Sequence, residues 1–121
     1  ISVPVSKTVD FITEASKRVK ELLPDIRPCP FGHIGDGNIH YNLTQPRDIS
    51  KNEFMSYSSD LNRVVHDLVA EMDGSISAEH GIGLIKKSEL NHYASPVKMK
   101  IMRSIKAALD PNNIMNPGKI I

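Results

Sequence analysis

Apolar residues at Val9, Ile12, Val19, Leu22 and Leu23 recur at helical spacing, which predicts an amphipathic helix along one face. Ser6 is its expected N-cap and Pro24 its stop. Before it, Ile1 to Val5 reads as a short strand that Pro4 confines to an edge. The pattern then changes period. Ile26 to Ile34 and Ile39 to Thr44 read as two strands about the turn Gly35-Asp36-Gly37-Asn38, with Pro28 and Pro30 making the first an edge strand. A long helix follows: Phe54, Tyr57, Leu61, Val64, Val65, Leu68 and Met72 step by threes and fours, behind a Ser50/Glu53 capping box and ahead of Gly74. Ser75 to Ala78 is a short extended piece, and EHGIG is a glycine-flanked loop. Ser95 and Pro96 start a last helix through Val97, Ile101, Ile105, Ala108 and Leu109, which ends at Asp110-Pro111. The tail NNIMNPGKII is rich in turn residues, and no internal repeat or linker is evident.

Composition narrows the partners. Fifteen Lys and Arg against fourteen Asp and Glu leave a net charge of +1, with no basic footprint for nucleic acid or an anionic membrane. The 121 residues suit one domain with one core. Cys29 stands alone, so no intrachain disulfide forms. No apolar run is long enough to span a bilayer, and ISVPVSKTVDF lacks the features of a signal peptide. The chain opens without Met, inside an expected strand, and is expected to be a piece of something longer.

The candidate chemistry lies in FGHIGDGNIHYNL. A two-residue type I′ loop at Asp36-Gly37 pairs His33 with His40 and Ile34 with Ile39. Opposed residues share a face, with Cβ atoms ~4.5–5.5 Å apart. Alternation adds Asn42 to the histidine face and turns Ile39, Tyr41 and Leu43 toward the core. Two imidazoles begin a divalent-metal site, which needs a third ligand and an open position. Glu79-His80 is the best source of that third ligand. The plainer alternative stays open, in which the histidines are hydrogen-bonded sheet residues and Glu79 is solvated. His66 reads as helix packing, His92 as a loop residue, Lys86 and Lys87 as a wet face, and the five methionines as core filler. Ser77 near His80 lacks a nucleophile elbow, and no P-loop or G-x-G-x-x-G is present.

GHIGDGNIHYN, AEHGIG and LDPNNIMNPGK, in that order, resemble the C-terminal part of FAD-linked oxidases of the vanillyl-alcohol oxidase type. The closer likeness is to the D-2-hydroxyacid dehydrogenase branch, which includes D-lactate dehydrogenases, the glycolate oxidase flavin subunit and D-2-hydroxyglutarate dehydrogenase. It runs from about Val3 to the C-terminus. The resemblance implies that residues 1–121 are the C-terminal segment of the substrate (cap) domain, without the FAD-binding domain. It implies His33, His40 and Glu79 as ligands of a divalent metal, usually zinc, and His80 as substrate-facing catalytic base. By the same likeness Asn42 lies near the substrate carboxylate and Asn116 near the flavin. The intact enzyme would oxidise a D-2-hydroxy acid to the 2-oxo acid by hydride transfer to FAD, passing electrons on to a quinone or an electron-transfer flavoprotein. It would be cytoplasmic, peripheral at the inner membrane face, or mitochondrial in a eukaryote. The expected fold is α+β, an antiparallel sheet of three strands with three helices on one face, part of a ferredoxin-like cap. Such a piece leaves apolar surface and an open sheet edge, so self-association is expected. Two other functions fit the residues: a non-catalytic module binding metal or small acids, and a structural or interaction domain.

Overall fold

The computed structural model describes residues 1–33 and 35–121; the expected pairing of Ile34 with Ile39 therefore involves a residue outside the described set. The fold class is α+β. Among the described residues there are two antiparallel strands, β1 (Arg27–His33) and β2 (Asn38–Thr44), and five α-helices. The helices are α1 (Thr8–Leu22), α2 (Lys51–Ser56), α3 (Ser58–Glu71), α4 (Lys87–Tyr93) and α5 (Pro96–Leu109). Two strands are too few to define a ferredoxin-like sheet, and that detail stays with the resemblance. The chain forms two compact units, Ile1–Glu79 and His80–Ile121.

In the first unit α1 buries Phe11, Ala15 and Val19, and α3 buries Leu61, Val65, His66, Leu68 and Val69. Arg18 clamps the two helices together, with both terminal nitrogens 2.8 Å from the Glu71 carboxylate. Ile39 closes the core from the sheet side, while Tyr41 meets Phe11 edge-on at 5.7 Å and hydrogen-bonds the Ser16 hydroxyl at 3.0 Å. His66 is buried on α3, in keeping with its reading as packing.

The N-terminus forms less strand than expected. Ser2 bridges both Asn38 and Ser75, so Ile1 to Val3 lies between β2 and the segment that follows α3. The Ile1 carbonyl accepts the Ile39 N–H at 2.9 Å, and Ser2 and Ser75 exchange two bonds of 2.8 Å. Pro4 then begins a 3₁₀ turn, Val5–Lys7, by accepting the Lys7 N–H. That turn displaces the cap, so Lys7 rather than Ser6 is the N-cap of α1 and no side chain caps it.

The single helix expected after Ser50 is broken at Tyr57 into α2 and α3. Ser56 Oγ bonds the Glu53 carbonyl, and the Tyr57 N–H turns to Phe54 O at 3.1 Å, which tightens the turn. Ser50 and Ser95 both act as N-caps, accepting the N–H of Glu53 and Lys98 at 3.2 Å. The second unit contains α4, which the sequence pattern does not predict, and His92 lies on this helix rather than in a loop. Leu90 is its one buried apolar residue, too few to show a period.

Candidate functional site

The hairpin register differs from the expected one. His33 pairs with Asn38, and His40 pairs with Phe31. The loop widens because the Asp36 carboxylate accepts the Asn38 N–H at 3.0 Å and the Gly37 carbonyl accepts the Val3 N–H at 3.1 Å. Every partner moves by two places, so the faces are preserved; a one-residue slip would have inverted them. His33 and His40 become diagonal neighbours on one face, with ring centroids 6.4 Å apart. The Phe31 ring, directly across from His40, stacks on it at 4.8 Å and 9°. Asn42 lies on the same face, opposite Cys29, and is exposed.

Pro28 and Pro30 fit this register. They pair with Leu43 and Tyr41. Ile39, two places along, directs its N–H and carbonyl away from β1 to Ile1. Alternate pairs are therefore not hydrogen-bonded across the ladder, and a proline there forfeits no bond.

Glu79 joins the histidine face through the Ile1–Val3 segment, which ties β2 to Ser75 four residues before it. Its Oε1 is 3.6 Å from His40 Nε2 and 3.8 Å from His33 Nδ1. The Asn38 side-chain amide donates to the same oxygen. His33 Nδ1 is also 3.9 Å from Asp36 Oδ2. Ser2, His33, Asp36, Asn38, Ser77, Ala78 and Glu79 line an open concavity of about 410 Å³ here. Among the described residues, the buried Ser77 hydroxyl has no hydrogen-bond partner. That orphan, in a lining that also carries the His33 imidazole and the Glu79 carboxylate, suits a polar occupant.

The donor set is chemically right for a divalent ion. Metal–ligand bonds of 2.0–2.2 Å place tetrahedral donors about 3.4 Å apart, close to the two imidazole–carboxylate separations. Still, among the described residues no three His, Cys, Asp or Glu side chains meet as a group able to hold a metal ion.

The second unit carries the other expected site residues. His80 is its first residue and is exposed. The EHGIG loop takes left-handed backbone at Gly81 and Gly83 (φ 69° and 56°), and the Gly83 carbonyl accepts the Ile120 N–H at 3.0 Å. Lys87 Nζ reaches the Gly118 carbonyl at 3.3 Å, so the glycine loop and the NPGK tail are held together. Asn116, itself left-handed, lines an apolar hollow with Met102, Ile105, Leu109 and Met115. Asn38 and Phe31 were missed as site residues. The observed register sets Phe31 against His40, and the approach of Glu79 brings Asn38 into contact with it.

The chain belongs to the family of FAD-linked oxidases, C-terminal domain, matched over residues 1–120. It is 45% identical over 120 residues to a D-2-hydroxyglutarate dehydrogenase of Stutzerimonas stutzeri, covering 99% of this chain and 26% of that protein. It is 39% identical to a D-lactate dehydrogenase of Anaerostipes hadrus, over 99% of this chain and 25% of the relative. A mitochondrial D-2-hydroxyglutarate dehydrogenase of Rattus norvegicus is 36% identical, over 100% of this chain and 21% of its own length. The chain thus spans about a quarter of the length of the curated relatives it matches. Among the described residues no helix is long and apolar enough to cross a membrane.

Proposed function

We propose that this chain is the metal- and substrate-binding portion of an FAD-dependent dehydrogenase that oxidises a D-2-hydroxy acid to the 2-oxo acid. The observation that carries the reading is the approach of Glu79 Oε1 to both His33 and His40, in a chain of the FAD-linked oxidase family. His33, His40 and Glu79 would hold a divalent ion, zinc by resemblance, and the remaining polypeptide would hold most of the FAD. The ion would supply Lewis acidity to the substrate hydroxyl and carboxylate, and FAD would supply the two-electron acceptor.

The chain's own residues have the following parts. His80 takes the hydroxyl proton, a role whose removal costs about 10²–10⁴-fold in rate. Asn42 donates to the substrate carboxylate. Asn116 approaches the flavin from the NPGK tail. The substrate class follows from relatives named for D-2-hydroxyglutarate and D-lactate. A quinone or an electron-transfer flavoprotein would reoxidise the flavin. A bacterial protein of this kind is placed in the cytoplasm or at the inner membrane face; a eukaryotic one is placed in mitochondria, as the rat relative's name has it.

Elemental analysis of the full-length protein tests the reading. Near one equivalent of metal is expected, lost in His33→Ala/His40→Ala together with 2-hydroxy-acid oxidation. Metal in both proteins, or none in either with activity intact, would refute the ligand assignment. Metal binding without oxidation in the presence of the flavin domain would favour the non-catalytic module. His80→Ala should lower kcat while leaving FAD content unchanged; an unchanged kcat would remove His80 from the base role.

A further inference from the structure

We propose that Asn38 is the positioning residue of Glu79: its side-chain amide holds the carboxylate on the His33–His40 face. This rests on the metal reading above and extends it to a residue outside the ligand set. Asn38 is 8% exposed, whereas the Glu79 side chain is 39% exposed. A half-exposed glutamate with three free torsions loses its position readily, and a buried amide is a fixed point against which to hold it.

Asn38 is fixed from three sides. Its N–H is bonded to the Asp36 carboxylate at 3.0 Å, it pairs with His33 across the ladder, and it bridges Ser2 on the opposite edge. Ser2 in turn bridges Ser75, on the segment that leads to Glu79. Main-chain bridging sets the distance between the two residues, and the amide then sets the direction of the carboxylate. A neutral donor suits this role. A lysine would compete with a cation for the carboxylate, and an aspartate would repel it. The amide engages one lone pair of Oε1, leaving the other and the whole of Oε2 for a metal ion.

The test is zinc affinity of the full-length protein, measured by competition with a chromophoric chelator. Asn38→Leu keeps the volume and removes the donor; Asn38→Ala removes both. Each should weaken zinc binding by about 10- to 100-fold, the usual range for an outer-shell partner, and excess zinc should restore kcat. Because Asn38 acts through Glu79, adding Asn38→Leu to Glu79→Ala should cause no further loss of affinity. Zinc affinity within twofold of wild type in both single variants, or full additivity with Glu79→Ala, would overturn the proposal and leave Asn38 a turn residue. Should the variants fail to fold, the zinc-loaded wild-type crystal structure decides: an Asn38 amide within hydrogen-bond distance of Glu79 supports the proposal, and a separation beyond that distance refutes it. Wild-type protein that binds no zinc would overturn the metal reading itself, a result distinct from unchanged affinity in the variants.

Discussion

Asp110 shows how much one side chain organises. Its two oxygens accept the N–H groups of Ile114 and Met115 at 2.9 and 3.0 Å, and Lys106 pairs with it. Lys106 Nζ also reaches the Met115 carbonyl at 2.6 Å. The Lys106 hydrogen bond holds the Asp110 carboxyl below the ordinary carboxylate range; burial opposes this, and the two backbone N–H groups add to it. A carboxyl depressed in the folded state contributes stability that is complete above its unfolded pKa and is lost as pH falls through the folded one. The Ile114 and Met115 amide resonances should therefore hold steady from neutral pH to below the ordinary carboxylate range, and shift together beneath it. Asp110→Asn should abolish that concerted shift. Movement of both amides at an ordinary carboxylate pKa would show that the carboxyl is not held. At this scale the sequence was half legible. His33, His40 and Glu79 stood out by residue type, but Asp110 read only as a helix stop beside Pro111. Its bonds go to residues four and five places on, in a turn with no periodic signal.

Among the elements, the joint between β2, the N-terminal residues and the end of α3 decides whether the site exists. Gly74 sits there. A Cβ on it would lie 2.3 Å from the Ser2 carbonyl oxygen and 2.9 Å from a Val69 methyl. Gly37 (φ 71°) is as tight, 1.9 Å from the Val3 carbonyl oxygen. The left-handed cap of α3 is Asp73 rather than Gly74; the N–H of Asp73 bonds Ala70 and that of Gly74 bonds Val69, the pattern of a Schellman turn. Gly74 is thus required for close approach of chains and not for its own backbone angle. Gly74→Ala should cost about 1–3 kcal/mol by overpacking, and, on the proposed ligand set, should weaken zinc binding because the same bridges carry Glu79. Equilibrium denaturation and chelator competition check both effects; an unchanged midpoint would show that the joint yields freely. The sequence marked Gly74 as the helix end; α3 closes at Glu71, and Gly74 follows its left-handed cap. The sequence could not reveal Ser2, 72 positions away, as the neighbour that forbids a side chain.

For the molecule as a whole, the face of α5 formed by Val97, Ile101, Ile105 and Leu109 is exposed, from 54% to 74%. Those residues recur every four positions, a stripe made to be covered. The 121-residue chain expressed by itself should therefore self-associate, and Ile101→Glu/Ile105→Glu should reduce the association. Sedimentation velocity over a range of concentrations measures it, and a wild-type chain that stays monomeric throughout would refute the prediction. The stripe itself was legible because its period is local. Exposure of the stripe was not, since periodicity gives a face and never says what lies against it.

The sequence by itself determined the α+β class, the helix caps at Ser50 and Ser95, the core face of β2 and the gathering of His33 and His40 on the opposite face. These follow from periods of 2 and 3.6 and from hydrogen bonds between near neighbours, which any short window contains. Tertiary structure decided the hairpin register, the reduction of the first strand to isolated bridges at Ser2, and the partner Asn38 for Glu79; the break at Tyr57 and the Phe31 partner of His40 also escaped the pattern. The register and the N-terminal segment depend on competing bonds from elsewhere, such as Val3 taking the Gly37 carbonyl, whereas the break at Tyr57 comes from local side-chain and backbone bonds that carry no periodic signal. The histidine face was readable despite the wrong register because alternation preserves faces under a two-residue shift. Asn38 was not readable, because only the close approach of Glu79 sets it apart from an ordinary turn asparagine.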